Sequence, residues 1–154
     1  MKLINSTTVY ENSIPHLRSR HGYFPGGTVL PDGDLLVIFS LSEAFESTDA
    51  FPYAMRSQDS GATWTMQGPM YEKPQDARYS EYLKPLLLRD GRLVATGYRF
   101  YRDNPEQPIC NPVNGGFSPS DLALSISQDN GKTWTISRPI EHPYKEMVDR
   151  KSVV

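Results

Sequence analysis

Apolar and polar positions along this chain fall into short runs of four to eight residues, broken by tight polar turns. Thr28-Val29-Leu30, Pro31-Asp32-Gly33 and Asp34-Leu35-Leu36-Val37-Ile38-Phe39 read as strand, Asp-Gly turn and strand. Leu83–Leu88, Arg89-Asp90-Gly91 and Arg92–Thr96 repeat that arrangement. Each hairpin is followed by a loop and a short strand (Tyr53–Arg56; Leu122–Ile126), then a polar turn ending in Trp64 or Trp134, where a closing strand begins. The pattern predicts two units of four antiparallel strands. The leading Lys2–Tyr10, apolar and β-branched, reads as one further strand. No run approaches the roughly 20 apolar residues of a membrane-spanning helix.

The polar turns are near copies. Ser57-Gln58-Asp59-Ser60-Gly61-Ala62-Thr63-Trp64 matches Ser127-Gln128-Asp129-Asn130-Gly131-Lys132-Thr133-Trp134, with Asp59 and Asp129 70 residues apart. Both tryptophans of the chain lie in these copies. In each, Asp59 or Asp129 can accept backbone N–H groups, and Gly61 or Gly131 supplies positive φ. Trp64 or Trp134 gives one large apolar anchor. One carboxylate per loop is too few for a calcium site, so Ser57, Asp59, Ser127 and Asp129 read as structural and no metal or cofactor is expected. The hairpin glycines Gly33 and Gly91 are 58 apart, so the second unit carries twelve extra residues within Tyr98–Ser120.

The two copies resemble the Asp-box, or bacterial neuraminidase repeat, of sialidase-like β-propellers. The resemblance implies an all-β fold: a partial β-propeller of about two four-stranded blades (residues 21–70 and 78–140) plus the N-terminal strand, from a parent that is six-bladed. The family's propeller is about twice this length or more, so residues 1–148 would be its N-terminal part, inactive alone. Asp149–Val154 matches the translation of a common sequencing adapter, and the expectation is a non-native tail over 149–154.

Composition narrows the partners. The net charge of −2 supplies no basic field for nucleic acid or anionic membrane, and neither is expected. The single Cys110 cannot form an internal disulfide. Met1–Ser6 lacks the apolar run of a signal peptide, making the cytoplasm the default location. Oligomeric state stays open.

Both kinds of turn should lie at one end of the blades. The opposite end then receives Arg18–Gly27, Ser40–Pro52, Arg78–Tyr82 and Tyr98–Ser120, where loops on a rigid scaffold concentrate function. Retaining glycosidases pair an acid/base carboxyl with a nucleophile, which in sialidases is a tyrosine. The resemblance places the acid/base Asp ahead of the Arg-Ser that opens the first copy; Asp49 fits, with Glu43 second and Glu46 beside it. The family binds its acidic substrate through three arginines, and Tyr23 stands where the first belongs. The nucleophile and the other arginines lie in later blades and cannot be named. Arg20, His21, Tyr23 and Arg78 are candidate substrate contacts. Glu81 and Arg99 could bind sugar hydroxyls together or form a surface ion pair. The implied function is a sialidase-like exo-glycosidase acting on terminal sugars of a carbohydrate or glycoconjugate, acidic sugars being one option. The alternative is a non-catalytic propeller that binds carbohydrate or protein.

Overall fold

The structure, a computed structural model, describes residues 5–141. It holds two four-stranded antiparallel sheets. The first comprises β1 (His21–Val29), β2 (Leu35–Ser42), β3 (Phe51–Ser57) and β4 (Thr65–Pro69), paired in sequence order. The second comprises β5 (Tyr79–Leu87), β6 (Leu93–Tyr101), β7 (Ser120–Ser127) and β8 (Arg138–Pro139), paired the same way. This is a partial β-propeller of two blades. The tail over 149–154 lies outside the described residues. Of the expected N-terminal strand, residues 5–10 make no strand pairing; Val9 and Tyr10 instead pack on the first sheet, the Tyr10 ring 5.3 Å from that of Phe39.

The hairpins β1–β2 and β5–β6 close identically. Leu30 N–H donates to the Asp34 carbonyl (2.8 Å) and Leu88 N–H to that of Arg92 (2.9 Å). Gly33 and Gly91 take φ of 90° and 86°, which a side chain would resist. The duplicated turns share their serine, aspartate and threonine bonds, while their indoles differ: Trp134 Nε1 donates to the Gly131 carbonyl (3.2 Å) and Trp64 Nε1 is buried without a partner among the described residues. The Ser57 hydroxyl donates to Asp59 Oδ1 and accepts the Gly61 N–H, each at 2.8 Å; Ser127, Asp129 and Gly131 repeat both distances. Asp59 and Asp129 then each accept the N–H and hydroxyl of Thr63 or Thr133 at 2.6–2.9 Å.

Two strands begin earlier than the sequence suggests. β1 starts at His21 rather than Thr28 because three glycines let it thread between neighbours. A Cβ at Gly22 would meet the Phe39 ring at 3.0 Å, and one at Gly26 the Lys84 side chain at 2.9 Å. A bulge between Tyr23 and Gly26 puts Phe24 at φ 52°. β5 starts at Tyr79 rather than Leu83, with Ser80 and Glu81 fully buried despite their polarity.

The main core lies between the sheets. Leu36, Ile38 and Ala54 of the first meet Leu83, Leu93, Ala95 and Ala123 of the second, with Trp134 closing the turn end. Gly131 sits so close that a Cβ would reach both Leu36 and Leu93 at 3.1 Å. Trp64 caps a smaller cluster on the far face of the first sheet, around Phe39, Leu41 and Met55. Arg56, almost fully buried, joins the sheets: it donates to Asp34 Oδ2 (2.9 Å) and to the Asn130 carbonyl in the other sheet's turn.

Bonds from Thr63, then Ser57, hold the Asp59 carboxyl down at about 2. At Asp129 burial is the largest influence and works against ionisation, yet bonds from Thr133, Ser127 and Lys132 outweigh it, again giving about 2. Carboxyls depressed from about 3.9 in the unfolded chain stabilise the fold above pH ~4 and lose that contribution as pH falls towards ~2. The double variant Asp59→Asn/Asp129→Asn should therefore melt below the wild type at pH 6, with the gap closing by pH ~2. Melting curves with a gap independent of pH would refute this account.

Candidate functional site

The four turns gather at one end of the sheets. The other end carries the approach to β1, the β2–β3 loop over residues 43–50, the approach to β5, and the β6–β7 loop over residues 102–119. Antiparallel order forces this division, and most of the candidate side chains lie at the loop end.

Asp49 ends the β2–β3 loop with its side chain 34% exposed. Arg20, entering β1, donates to Asp49 Oδ2 at 2.5 Å, and the Glu43 N–H reaches Oδ1 at 3.2 Å. The Glu43 side chain is exposed, while its carbonyl accepts the Ser19 hydroxyl (2.8 Å). That hydroxyl also lies 3.0 Å from His21 Nε2. Tyr23 is half-buried, its ring edge-on to Phe45. Glu46 is committed to the Ile109 N–H at 2.9 Å, which pins the long β6–β7 loop against the β2–β3 loop. Asp49, Arg20, Glu43 and His21 thus form one local network, in which Arg20 already has a carboxylate partner.

Glu81 and Arg99 are directly opposed on β5 and β6 and bond at 3.0 Å. The pair is buried, not on the surface: Glu81 is 0% exposed and Arg99 7%. Glu81 also accepts the Ser137 hydroxyl (2.5 Å) and the Tyr71 hydroxyl. Arg99 donates to the Ser137 carbonyl (2.9 Å) and stacks over Tyr79, 4.0 Å from the ring centroid. Burial first, then the Glu81 charge and its hydrogen bond, push the Tyr71 phenol far above its ordinary range. Lys73 lies nearby, donating to the Tyr79 carbonyl (2.6 Å), with its pKa lowered by burial. Sequence reasoning found the Glu81–Arg99 pair but missed Tyr71, Ser137 and Lys73. They come from connecting segments with no periodicity, and only the folded chain brings them to Glu81.

Arg78 opens onto the solvent side of this cluster. Two adjoining cavities of about 380 and 420 Å³ share Ala77, Arg78, Tyr79 and Asp103 in their walls. Arg78 is exposed and accepts the Arg102 N–H on its carbonyl (2.8 Å), and among the described residues neither its guanidinium nor the Asp103 carboxylate has a side-chain partner. Arg102, 6% exposed, lines the first cavity; its Nη2 donates to the Gln107 carbonyl (3.0 Å) and its Nη1 has no partner. The depression therefore offers guanidinium donors, a carboxylate acceptor and an aromatic side chain. That combination suits a polyhydroxylated ligand. Among the described residues, no group of three His, Cys, Asp or Glu side chains is placed to hold a metal ion.

No family model matches the chain, and no curated protein sequence matches it. Solved structures do. A protein of unknown function from Dyadobacter fermentans DSM 18053 superposes with a TM-score of 0.60 at 21% identity, covering 88% of this chain and 39% of that one. An alpha-L-arabinanase of Penicillium chrysogenum, complexed with arabinobiose, superposes with a TM-score of 0.53 at 20% identity, covering 79% and 34%. The chain thus spans well under half the length of each. At such identities the likeness concerns the fold, and the arabinanase is a β-propeller.

Removing the carboxylate charge at Glu81 tests whether the buried pair is structural. Glu81→Gln leaves the Arg99 guanidinium buried without its counter-charge, which should cost about 3 kcal/mol in urea unfolding. A loss under about 1 kcal/mol, the range of exposed pairs, would contradict the burial described.

Proposed function

We propose that this chain supplies two blades and one wall of the substrate site in a carbohydrate-active propeller, a glycoside hydrolase acting on terminal sugars. The observation that carries the reading is the depression around Arg78, Tyr79 and Asp103 at the loop end, whose free donors and acceptors match sugar hydroxyls. Asp49 is the acid/base candidate: its carboxyl is partly exposed at the same end and oriented by Arg20 and the Glu43 N–H. The fold likeness to an arabinanase that holds arabinobiose supports a sugar as the ligand class. Acidic sugars and a sialidase-like specificity remain within the proposal, with Arg78 and Arg102 as the available cations, since Arg20 is engaged by Asp49.

Two observations favour a second reading, carbohydrate binding without catalysis. Tyr23 stands at the position where the resemblance calls for the first carboxylate-binding Arg, and Asp49 is tied to Arg20.

Calorimetric titration with arabinobiose and with a sialyl-lactose tests both. Arg78→Ala should weaken binding about tenfold, the loss of one charged hydrogen-bonding contact, without lowering the melting temperature. In a whole propeller carrying these two blades, hydrolysis of aryl glycosides that falls at least about 100-fold in Asp49→Asn, with sugar binding retained, would select the enzyme reading. Binding with hydrolysis unchanged in Asp49→Asn would remove Asp49 from the mechanism. Absence of any sugar binding would sink both readings.

A further inference from the structure

Three arginines are buried among the described residues, and two of them are met by carboxylates. Arg56, 8% exposed, bonds Asp34, and Arg99, 7% exposed, bonds Glu81. Arg102 is buried as deeply, at 6%, and is in ion-pair contact with no carboxylate among the described residues. Its Nη2 donates to a neutral acceptor, the Gln107 carbonyl (3.0 Å), and its Nη1 is buried with no partner. Carboxylates of the β2–β3 loop are spent elsewhere, Glu46 on the Ile109 N–H and Asp49 on Arg20. Asp103, next in sequence, is exposed and pairs with no guanidinium among the described residues. Withdrawing a cation from water without a counter-charge is costly. A water molecule can accept its hydrogen bond but cannot neutralise it.

Arg102 lines a cavity of about 380 Å³ whose walls come from both blades. Thr48 belongs to the β2–β3 loop, Ala77 and Arg78 to the connection between the sheets, and Asp103 to the β6–β7 loop. The Arg78 carbonyl accepts the Arg102 N–H (2.8 Å), which holds the two guanidinium-bearing residues side by side. A planar guanidinium presents paired N–H groups that match two oxygens of one anion. We propose that this cavity is an oxyanion site: a carboxylate, sulfate or phosphate group supplies the counter-charge to Arg102, with Arg78 as second donor and Asp103 tempering the attraction. The unpaired charge calls for an anion whether or not a sugar carries it, so the site stands apart from the sugar reading.

Calorimetry and melting of the full chain in low-salt buffer, titrated with sodium sulfate, phosphate and glucuronate, test this. Binding should be saturable, and at about a hundredfold excess over Kd it should raise the melting temperature by roughly 5 °C or more. Sulfate and phosphate stabilise most folds by exclusion from the surface. The deciding quantity is therefore the difference from Arg102→Met, which removes the charge and fills most of the same space. Without oxyanion, Arg102→Met should melt no lower than the wild type; with it, the saturable part of the wild-type gain should vanish. Arg78→Gln, a change at an exposed position, should weaken oxyanion binding about tenfold, and Asp103→Asn should strengthen it. Tighter binding of glucuronate than of sulfate places the group on a sugar, the reverse order makes it a free ion, and both support the site. Sulfate binding with no binding of any sugar leaves the site standing and removes the sugar reading. Equal gains in the wild type and Arg102→Met, or no saturable binding of any of the three anions, overturns the proposal. So does an Arg102→Met protein that melts far below the wild type by the same margin at every anion concentration, since the guanidinium would then be structural.

Discussion

Everything in the second sheet depends on the Glu81 carboxylate having no access to water. A buried carboxylate must be met by donors, and here a guanidinium, a phenol and a serine hydroxyl all converge on it. Those donors come from β6, from the connection that leaves the first sheet, and from the segment before β8. Satisfying one charge therefore fixes where three separate pieces of chain must lie. The Glu81 backbone extends the same constraint, since its N–H reaches the Ala50 carbonyl (3.0 Å) and its carbonyl accepts the Ser40 hydroxyl (2.9 Å). A buried pair of this kind is not a large source of net stability. Its contribution is registry: alternative sheet pairings would strand a charge.

The scaffold was largely legible in the sequence, because turns are governed by local chemistry. Asp32-Gly33, Asp90-Gly91 and the two Trp-ended turns needed only Asp acceptors and positive-φ glycines, and each formed where expected. The early parts of β1 and β5 were not legible. His21–Gly27 has three glycines and a bulge, features that read as loop, and its glycines are required only because Phe39 and Lys84 press on it from outside. Tyr79–Tyr82 alternates polar and aromatic residues, and the burial of Glu81 depends on partners 10, 18 and 56 residues away. Polar burial of that sort leaves no periodic trace.

The loop end was legible as a place rather than as a mechanism. Topology alone assigned Asp49, Arg20, His21 and Arg78 to one end of the blades, and the structure sorts them by what they touch. Arg20 and Asp49 neutralise each other, Glu46 holds a loop, and Arg78 stays open beside Asp103. Side chains of one sequence class thus divide into those spent on architecture and those that line the open depression. The division follows hydrogen-bond supply: wherever a backbone N–H or a second side chain was within reach, the charge was consumed.

The left-handed residue in the second duplicated turn carries a chemical consequence of a different kind. Asn130-Gly131 is an asparagine–glycine pair, the sequence most prone to spontaneous ageing, in which the glycine nitrogen attacks the asparagine amide and expels ammonia. Here that nitrogen points its proton at Ser127 Oγ (2.8 Å), and the Asn130 amide reaches across to Asp32 (3.3 Å). Reaction would require the nitrogen to give up its bond and the amide to swing back over a backbone held at φ 58°. The serine that shapes the turn therefore also slows its clock.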